Sequence, residues 1–452
     1  MNFIGLDIGS TSIKGAVLDL ESFTIARTAR VSCPEPITGL PPRHFELDPF
    51  AVVDAVQVVL AQLLEGVEDC AGVISCSQMA GVILMDEGGR PLTNYLSWRD
   101  QRVSEVHVSS ELSYYDVLRR RLTESGMQQL GHECKPGSAP SLLFWLAEQQ
   151  RLPPNAVPMM LGDFVATRLC NAEPVTEYTN ALGALNLETR DWHHEVFDKL
   201  GIGDLQWPRL CDPYQLVGEI VVNGKRVPYF PSVGDHQCAL AGTLLQSNEL
   251  SINASTGSQI SMLAKDHATG DYQVRPYFDG QFLNTLTHLP AGRSLNLLVD
   301  LLSELARSQG IDLENPWPYI NQVTSESKTD LAADLAFFAG PIGERGSISN
   351  ISVDNLNIGS LFLAAFRNMA DNYGECASRL APNRRWNCLV LSGGLIQQCD
   401  PLRDLIVSQF DCPYRVCAAS EETFTGLLVL SLVASGRAKH VAAASDLIRN
   451  VS

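Results

Sequence analysis

Residues 3–19, FIGLDIGSTSIKGAVLD, set two apolar strand-like runs on either side of a turn made only of small residues, Gly9-Ser10-Thr11-Ser12. The same grammar returns at residues 249–266, ELSINASTGSQISMLAKD, where the turn is Ser255-Thr256-Gly257-Ser258. One strand–turn–strand unit in each half, followed by helical and buried-strand patterns, constrains the chain to a duplicated αβ unit with a cleft between the copies. The length of 452 residues agrees, because it exceeds what a single compact core holds.

The coarse pattern fills in this frame. Residues 2–7 and 13–20 read as a β-hairpin. After a loop marked by Pro34, Pro36, Pro41 and Pro42, Asp48 is positioned to cap a helix whose apolar face carries Val52, Val53, Val56, Val59, Leu60 and Leu63. AGVISCS at 71–77 reads as a buried strand, and helical spacing returns in APSLLFWLAEQQ and GDFVATRLC. Pro208, Pro213, Pro228 and Pro231 break the pattern, which predicts domains at 1–228 and 229–452. Beyond the second hairpin come a long helix from Ile358 to Leu380, the strand CLVLSGG, a further helix and a final apolar helix.

Composition excludes several functions. With 45% hydrophobic and 19% charged residues the chain is globular rather than disordered. Fifty-one acidic against 33 basic residues give a net charge of -18, which repels nucleic acid and anionic membrane surfaces. The 12 cysteines show neither C-x-x-C nor zinc spacing. The longest uncharged apolar stretch near the end, TFTGLLVLSLVASG, is too short to span a bilayer, so a cytoplasmic location is expected.

The hairpins carry the chemistry. Small residues in a tight turn expose backbone N–H groups that can converge on phosphate oxygens. Gly9, Ser10, Thr11 and Ser12, with Lys14 bringing a positive charge, form one candidate phosphate clasp, and Ser255, Thr256, Gly257 and Ser258 form the other. Asp7 would repel a phosphate directly, so its expected partner is a magnesium ion, held directly or through water. No G-x-x-x-x-G-K-[ST] occurs, which removes the P-loop route to nucleotide binding.

These strand–hairpin loops resemble those of the actin-like ATPases, and the segments that follow resemble the FGGY carbohydrate kinases in particular. GVISCSQMAGVILMDEGGRPLTNYLSWRDQR (72–102) is similar to that family's stretch that reads G-Q-M-H-G, then a strand, then W-x-D-x-R. LGDFVATRLCNAEPVTEYTNALGALNLETRDW (161–192), PSVGDHQCALAG (231–242), GPIGERG (340–346) and LVLSGGLIQQCDPLRD (389–404) match further family segments in family order. QVRPYFDGQFL (273–283) looks most like the sedoheptulokinase branch, with xylulokinases the alternative.

The resemblance implies an α/β fold of two actin-like, ribonuclease H-like αβα domains flanking an interdomain cleft. The N-terminal domain would hold sugar, the C-terminal one nucleotide, and the reaction would move phosphoryl from ATP, with Mg2+, to a primary hydroxyl of a ketose. Asp235 is then the base that takes the hydroxyl proton, with a possible second role toward the metal beside Asp7. Gln78, Met79, Trp98, Asp100, Asp235, His236 and Gln237 are the implied sugar contacts, while Gly393, Gly394 and Gln398 are implied at the adenosine. An aspartate before a small apolar helix is also an ordinary N-cap, Trp98 equally fits a core, and Asp100 equally fits an ion pair with Arg102. The family's histidine after Gln-Met is Ala80 here, and its lysine before W-L is Leu142. Rival readings are an ATPase switch and a silent sugar sensor. The expected partners are small molecules only, bound by a monomer or homodimer.

Overall fold

A computed structural model of the chain describes residues 1–222, 224–417 and 421–451. Its first sheet contains β1 (Asn2–Ile8), β2 (Ser12–Asp19), β3 (Thr24–Ser32), β4 (Cys70–Ser77), β5 (Gly218–Val222) and β6 (Lys225–Gly234), in the order β5-β6-β4-β1-β2-β3. The second contains β7 (Glu249–Ala254), β8 (Ser258–Ala264), β9 (Gln273–Pro276), β10 (Phe282–Leu289), β11 (Cys388–Ser392) and β12 (Tyr414–Val416), in the order β9-β10-β8-β7-β11-β12. In each sheet a set of antiparallel strands is extended by two parallel strands: β4 and β6 beside β1, then β11 and β12 beside β7. The duplication expected from the two hairpins is therefore a duplication of topology.

Strand β1 shows why its sequence reads as it does. Ile4, Leu6 and Ile8 point into a core completed by Val52, Val56 and Leu60 of the helix Pro49–Leu64 and by Phe164 of the helix Leu161–Cys170. Asp48 caps the first of these helices, its carboxylate accepting from Phe50 N at 2.9 Å. By the two-residue alternation of a strand, Phe3, Gly5 and Asp7 share the other face. There Phe3 packs with Cys238, Leu240, Phe424 and Leu427, from the helices Asp235–Gly242 and Glu422–Ala434. Gly5 is needed because a methyl group would sit 2.9 Å from Leu18 and 3.2 Å from Leu427.

The segment between β4 and β5 forms a largely helical module with its own core, including Leu118, Leu142, Trp145 and Phe197. Leu142, at the position of the family's lysine, is fully buried there. A separate core joins the second sheet to the helices Ile358–Leu380 and Asp400–Phe410. The divide expected between residues 228 and 229 falls inside β6, which pairs with β4 of the first sheet through Gly234. Pro228 and Pro231, two of the prolines that suggested it, sit within this strand. We put the divide between the helix Asp235–Gly242 and β7. Among the described residues no helix is long and apolar enough to cross a membrane.

Candidate active site

Parallel pairing aligns three strand ends. Ile8 of β1 faces Ser77 of β4, and Ser77 faces Gly234 of β6. Asp7, the Gly9–Ser12 turn, Gln78 and Asp235 therefore emerge along one sheet edge, where open α/β sheets bind ligands. They line a cleft of about 1660 Å³ whose opposite wall carries the second turn, Ser255–Ser258. That turn is tied to the start of the helix Gly292–Ser308, because the Ser255 and Thr256 carbonyls accept from Gly292 N at 3.0 Å and Arg293 N at 2.8 Å. Within it the Ser258 hydroxyl is already bonded, to Asn253 O and Tyr373 Oη.

The two carboxylates are electrostatically linked. Burial pushes the Asp235 carboxyl up to about 7, with the charge of Asp7 adding to the effect. Asp7 is pushed up to about 6, mainly by burial and against the pull of Lys14. Asp235 does not cap its helix in the usual way: its Oδ1 accepts only from the adjacent His236 N, at 2.8 Å. The structural alternative for this residue thus has no capping bond behind it.

Beside them lie polar groups without partners. Gln78 is 4% exposed and neither of its amide atoms is hydrogen-bonded. His236 is kept neutral by burial and the Arg275 charge; its Nδ1 meets Arg275 Nη1 at 2.7 Å while Nε2 has no partner. Trp98 is 41% exposed at the cleft, so it is a wall and not core. Met79 and Ala80 complete this side, Ala80 in the left-handed region at φ 64.

Several expected contacts lie elsewhere. Asp100 is fully buried, its oxygens occupied by the Arg102 guanidinium at 2.7 and 2.9 Å and by Phe45 N at 2.7 Å. The ion-pair alternative for this residue is the one realised. Lys14 turns from the phosphate clasp to Glu421, 3.0 Å away. Gln237 is buried behind the cleft and donates to Pro276 O at 3.1 Å. Gly393, at φ 93, packs against the backbone of Ala254 in the second hairpin, whereas Gln398 lines a separate cavity of about 470 Å³. Neither these two nor Gly394 lines the main cleft.

A charged wall was missed. Glu133 accepts from Arg275 Nε at 2.6 Å and from Gln273 Nε2 at 3.1 Å, and Lys135 lines the cleft beside them. Burial alone would raise the Glu133 carboxyl, but Arg275 and Lys135 hold it below the usual range. Burial in turn lowers Lys135. The available signal was charge inside compact runs, GHECKPG and QVRPYF.

The cleft thus joins two small-residue hairpins, an acid pair and a buried polar pocket. A sequence profile for the N-terminal domain of the FGGY family of carbohydrate kinases matches residues 2–242, more than half of the chain. The chain belongs to the FGGY family of carbohydrate kinases. It is accordingly an enzyme, a sugar kinase. This kinase is 22% identical to a sedoheptulokinase of Mus musculus over 92% of its own length and 93% of that protein. It is 25% identical to a xylulose kinase of Lactococcus lactis, over 65% of this chain and 60% of the relative. The fold is shared with a xylulose kinase from Lactobacillus acidophilus, with a TM-score of 0.85 and 19% identity over 98% of this chain and 91% of the other. A Plasmodium falciparum glycerol kinase solved with ADP has a TM-score of 0.81 at 16% identity, over 99% and 92% of the two chains. The actin-like architecture is that of these kinases.

Proposed function

We propose that this kinase transfers the γ-phosphoryl of ATP to a primary hydroxyl of a ketose, sedoheptulose before xylulose or another pentulose. The observation that carries the reading is the meeting, in one cleft, of both hairpins with Asp235 and the unpartnered Gln78 and His236 Nε2. A buried polar atom without a partner costs about 1–3 kcal/mol, and a polyol supplies the donors and acceptors that relieve it. The long sedoheptulokinase match supports the seven-carbon ketose.

In the reaction the sugar hydroxyl oxygen forms a bond to the γ-phosphorus while the bond to the β–γ bridging oxygen breaks, releasing ADP. The hydroxyl proton passes to Asp235, which lines the cleft with both the unpartnered polar groups and the phosphate turns. Trp98 and Met79 flank the carbon chain, and Gln78 with His236 Nε2 takes hydroxyls beside the reacting one. Lys135 and the Glu133–Arg275 pair form the wall that reads the far end of the chain. The two turns clasp the phosphates, and closure over them excludes water.

Among the described residues no cluster of three metal-ligating side chains exists. That fits magnesium, which is commonly held by one or two carboxylates together with substrate phosphates and water. Asp7, with Asp235 beside it, would hold the ion, and its charge would neutralise the phosphate oxygens and let both carboxyls ionise.

A panel of sedoheptulose, xylulose, ribulose, fructose and glycerol with ATP and magnesium tests the reading, scored by sugar-dependent ADP release. The expected result is fastest release with sedoheptulose, and a loss of about 10²–10⁴-fold in Asp235→Asn with ATP binding kept. ADP release that ignores every sugar overturns the proposal.

A further inference from the structure

Strand β6 loses its outer neighbour before it reaches the active site. β5 pairs with it only as far as Gly218 opposite Tyr229, whereas β6 runs on to Gly234. On its inner side Ser232, Val233 and Gly234 stay in register with Ser75, Cys76 and Ser77 of β4, after an irregularity that begins at Tyr229. The last residues before Asp235 therefore depend on something other than a strand to satisfy and fix their outer backbone groups.

The turn Glu177–Asn180 does this. Gly234 N donates to Thr179 Oγ1 at 2.7 Å, and Asn180 Nδ2 donates to Ser232 O at 2.7 Å. The Thr179 hydroxyl in turn donates to Glu177 Oε2, which also accepts from Thr179 N at 2.8 Å. Asn180 Nδ2 in addition reaches Asp163 Oδ1 at 3.2 Å. Thr179 and Asn180 are fully buried, and Glu177 and Asp163 are 2% exposed, so no water competes directly with the chain of bonds. Gly162 lets the helix carrying Asp163 approach closely, since a methyl there would overlap the Ser232 hydroxyl. None of these residues lines the cleft.

We propose that Thr179 and Asn180 are positioning residues for Asp235, clamping the strand end that carries it in place of the missing strand. The inference rests on Asp235 being the base. Two consecutive residues of one turn grip both a donor and an acceptor, two residues apart, on the approach to one carboxylate. Such a clamp fixes where the carboxylate stands without touching substrate. Misplacing a reacting group by about 1 Å can cost on the order of 10²-fold in rate.

The test compares Thr179→Val, which removes the hydroxyl at constant shape, with Thr179→Ser, which keeps it. Steady-state kinetics with the best sugar should show kcat lower by about 10–100-fold in the valine variant, KM for sugar and ATP within about threefold, and kcat near the parent in the serine variant. Amide hydrogen exchange over residues 230–236 should quicken in the valine variant alone. This second readout needs no substrate, so it distinguishes failure of the clamp from failure of the ketose assignment. If the valine protein does not accumulate folded, Thr179→Ala removes the same hydroxyl and is read the same way. A parental kcat in the hydroxyl-less variant, equal losses in valine and serine variants, or unchanged exchange over 230–236 overturns the proposal.

Discussion

Glu177 gives a stability effect whose sign and size follow from its surroundings. Burial, opposed only in part by the Thr179 bonds, raises its carboxyl from 4.5 to about 8. Between those values the folded chain holds a proton that the unfolded chain has released, so stability falls as pH rises through the window. It is fully present below about 4.5 and lost as pH passes about 8. A displacement of that size corresponds to at most about 5 kcal/mol, and relaxation around the new charge brings the working range to about 2–5 kcal/mol. Glu177→Gln keeps the shape and an accepting oxygen but cannot ionise. For a cooperative unit of roughly 240 residues the unfolding entropy near the midpoint is about 0.5 kcal/mol per degree, which converts the range to about 4–10 °C. Thermal scans of parent and variant at one scan rate should nearly coincide at pH 5 and separate by that amount at pH 9, with the variant higher. Asp163 is also raised by burial and feels the Glu177 charge, so the difference between the curves reports residue 177 together with its effect on that neighbour. Curves that stay parallel within about 1 °C from pH 5 to 9 would refute the reasoning.

Asp7→Asn should raise the magnesium concentration for half-maximal rate several-fold, and an unchanged metal titration would remove Asp7 from the metal site. Asp100→Asn should cost about 3–5 kcal/mol, because it leaves the buried Arg102 partly uncompensated; a denaturation midpoint equal to the parent's would contradict this. Gly426→Ala sets helix propensity, which favours alanine by about 1 kcal/mol, against a methyl that would overlap the Cys238 carbonyl oxygen. The overlap wins, because it is with backbone, so both the unfolding midpoint and kcat should fall; a rise in midpoint would show that the helices part easily.

What the sequence revealed divides by range of interaction. The hairpins, the Asp48 cap and the buried strand at 71–77 are local patterns, and each stands where periodicity put it. Asp235 was reached through a motif, since nothing local separates it from an ordinary cap. The pairing of Lys14 with Glu421 was not legible, because the two are remote in sequence and no local pattern joins them. Charge inside two compact runs hinted at Glu133, Lys135 and Arg275, but not that they form one wall, since they come from the helical module and from β9. The Glu177–Asn180 turn was seen only as part of a family segment, although an acid closing the short buried strand VTE ahead of YTN is itself a local signal.

The aspartate at the end of the apolar strand β1 has a physical cause. Along the second face of β1 the side chains run from Phe3 through Gly5 to Asp7, which is a passage from shared core to cleft. That core is not private to the first sheet. The helix Glu422–Ala434, from the far end of the chain, packs on it beside the helix that begins with Asp235. Gly242 and Gly426 let the two helices meet backbone to backbone, since a methyl at Gly242 would overlap the Glu422 carbonyl. One apolar layer therefore fixes Asp7, Asp235 and the start of the last long helix relative to one another. The second sheet reaches the same layer through Leu263, Leu283 and Val390, while its Ser255–Ser258 turn lies across the cleft. A substitution in this shared core should therefore perturb both carboxylates together rather than either alone.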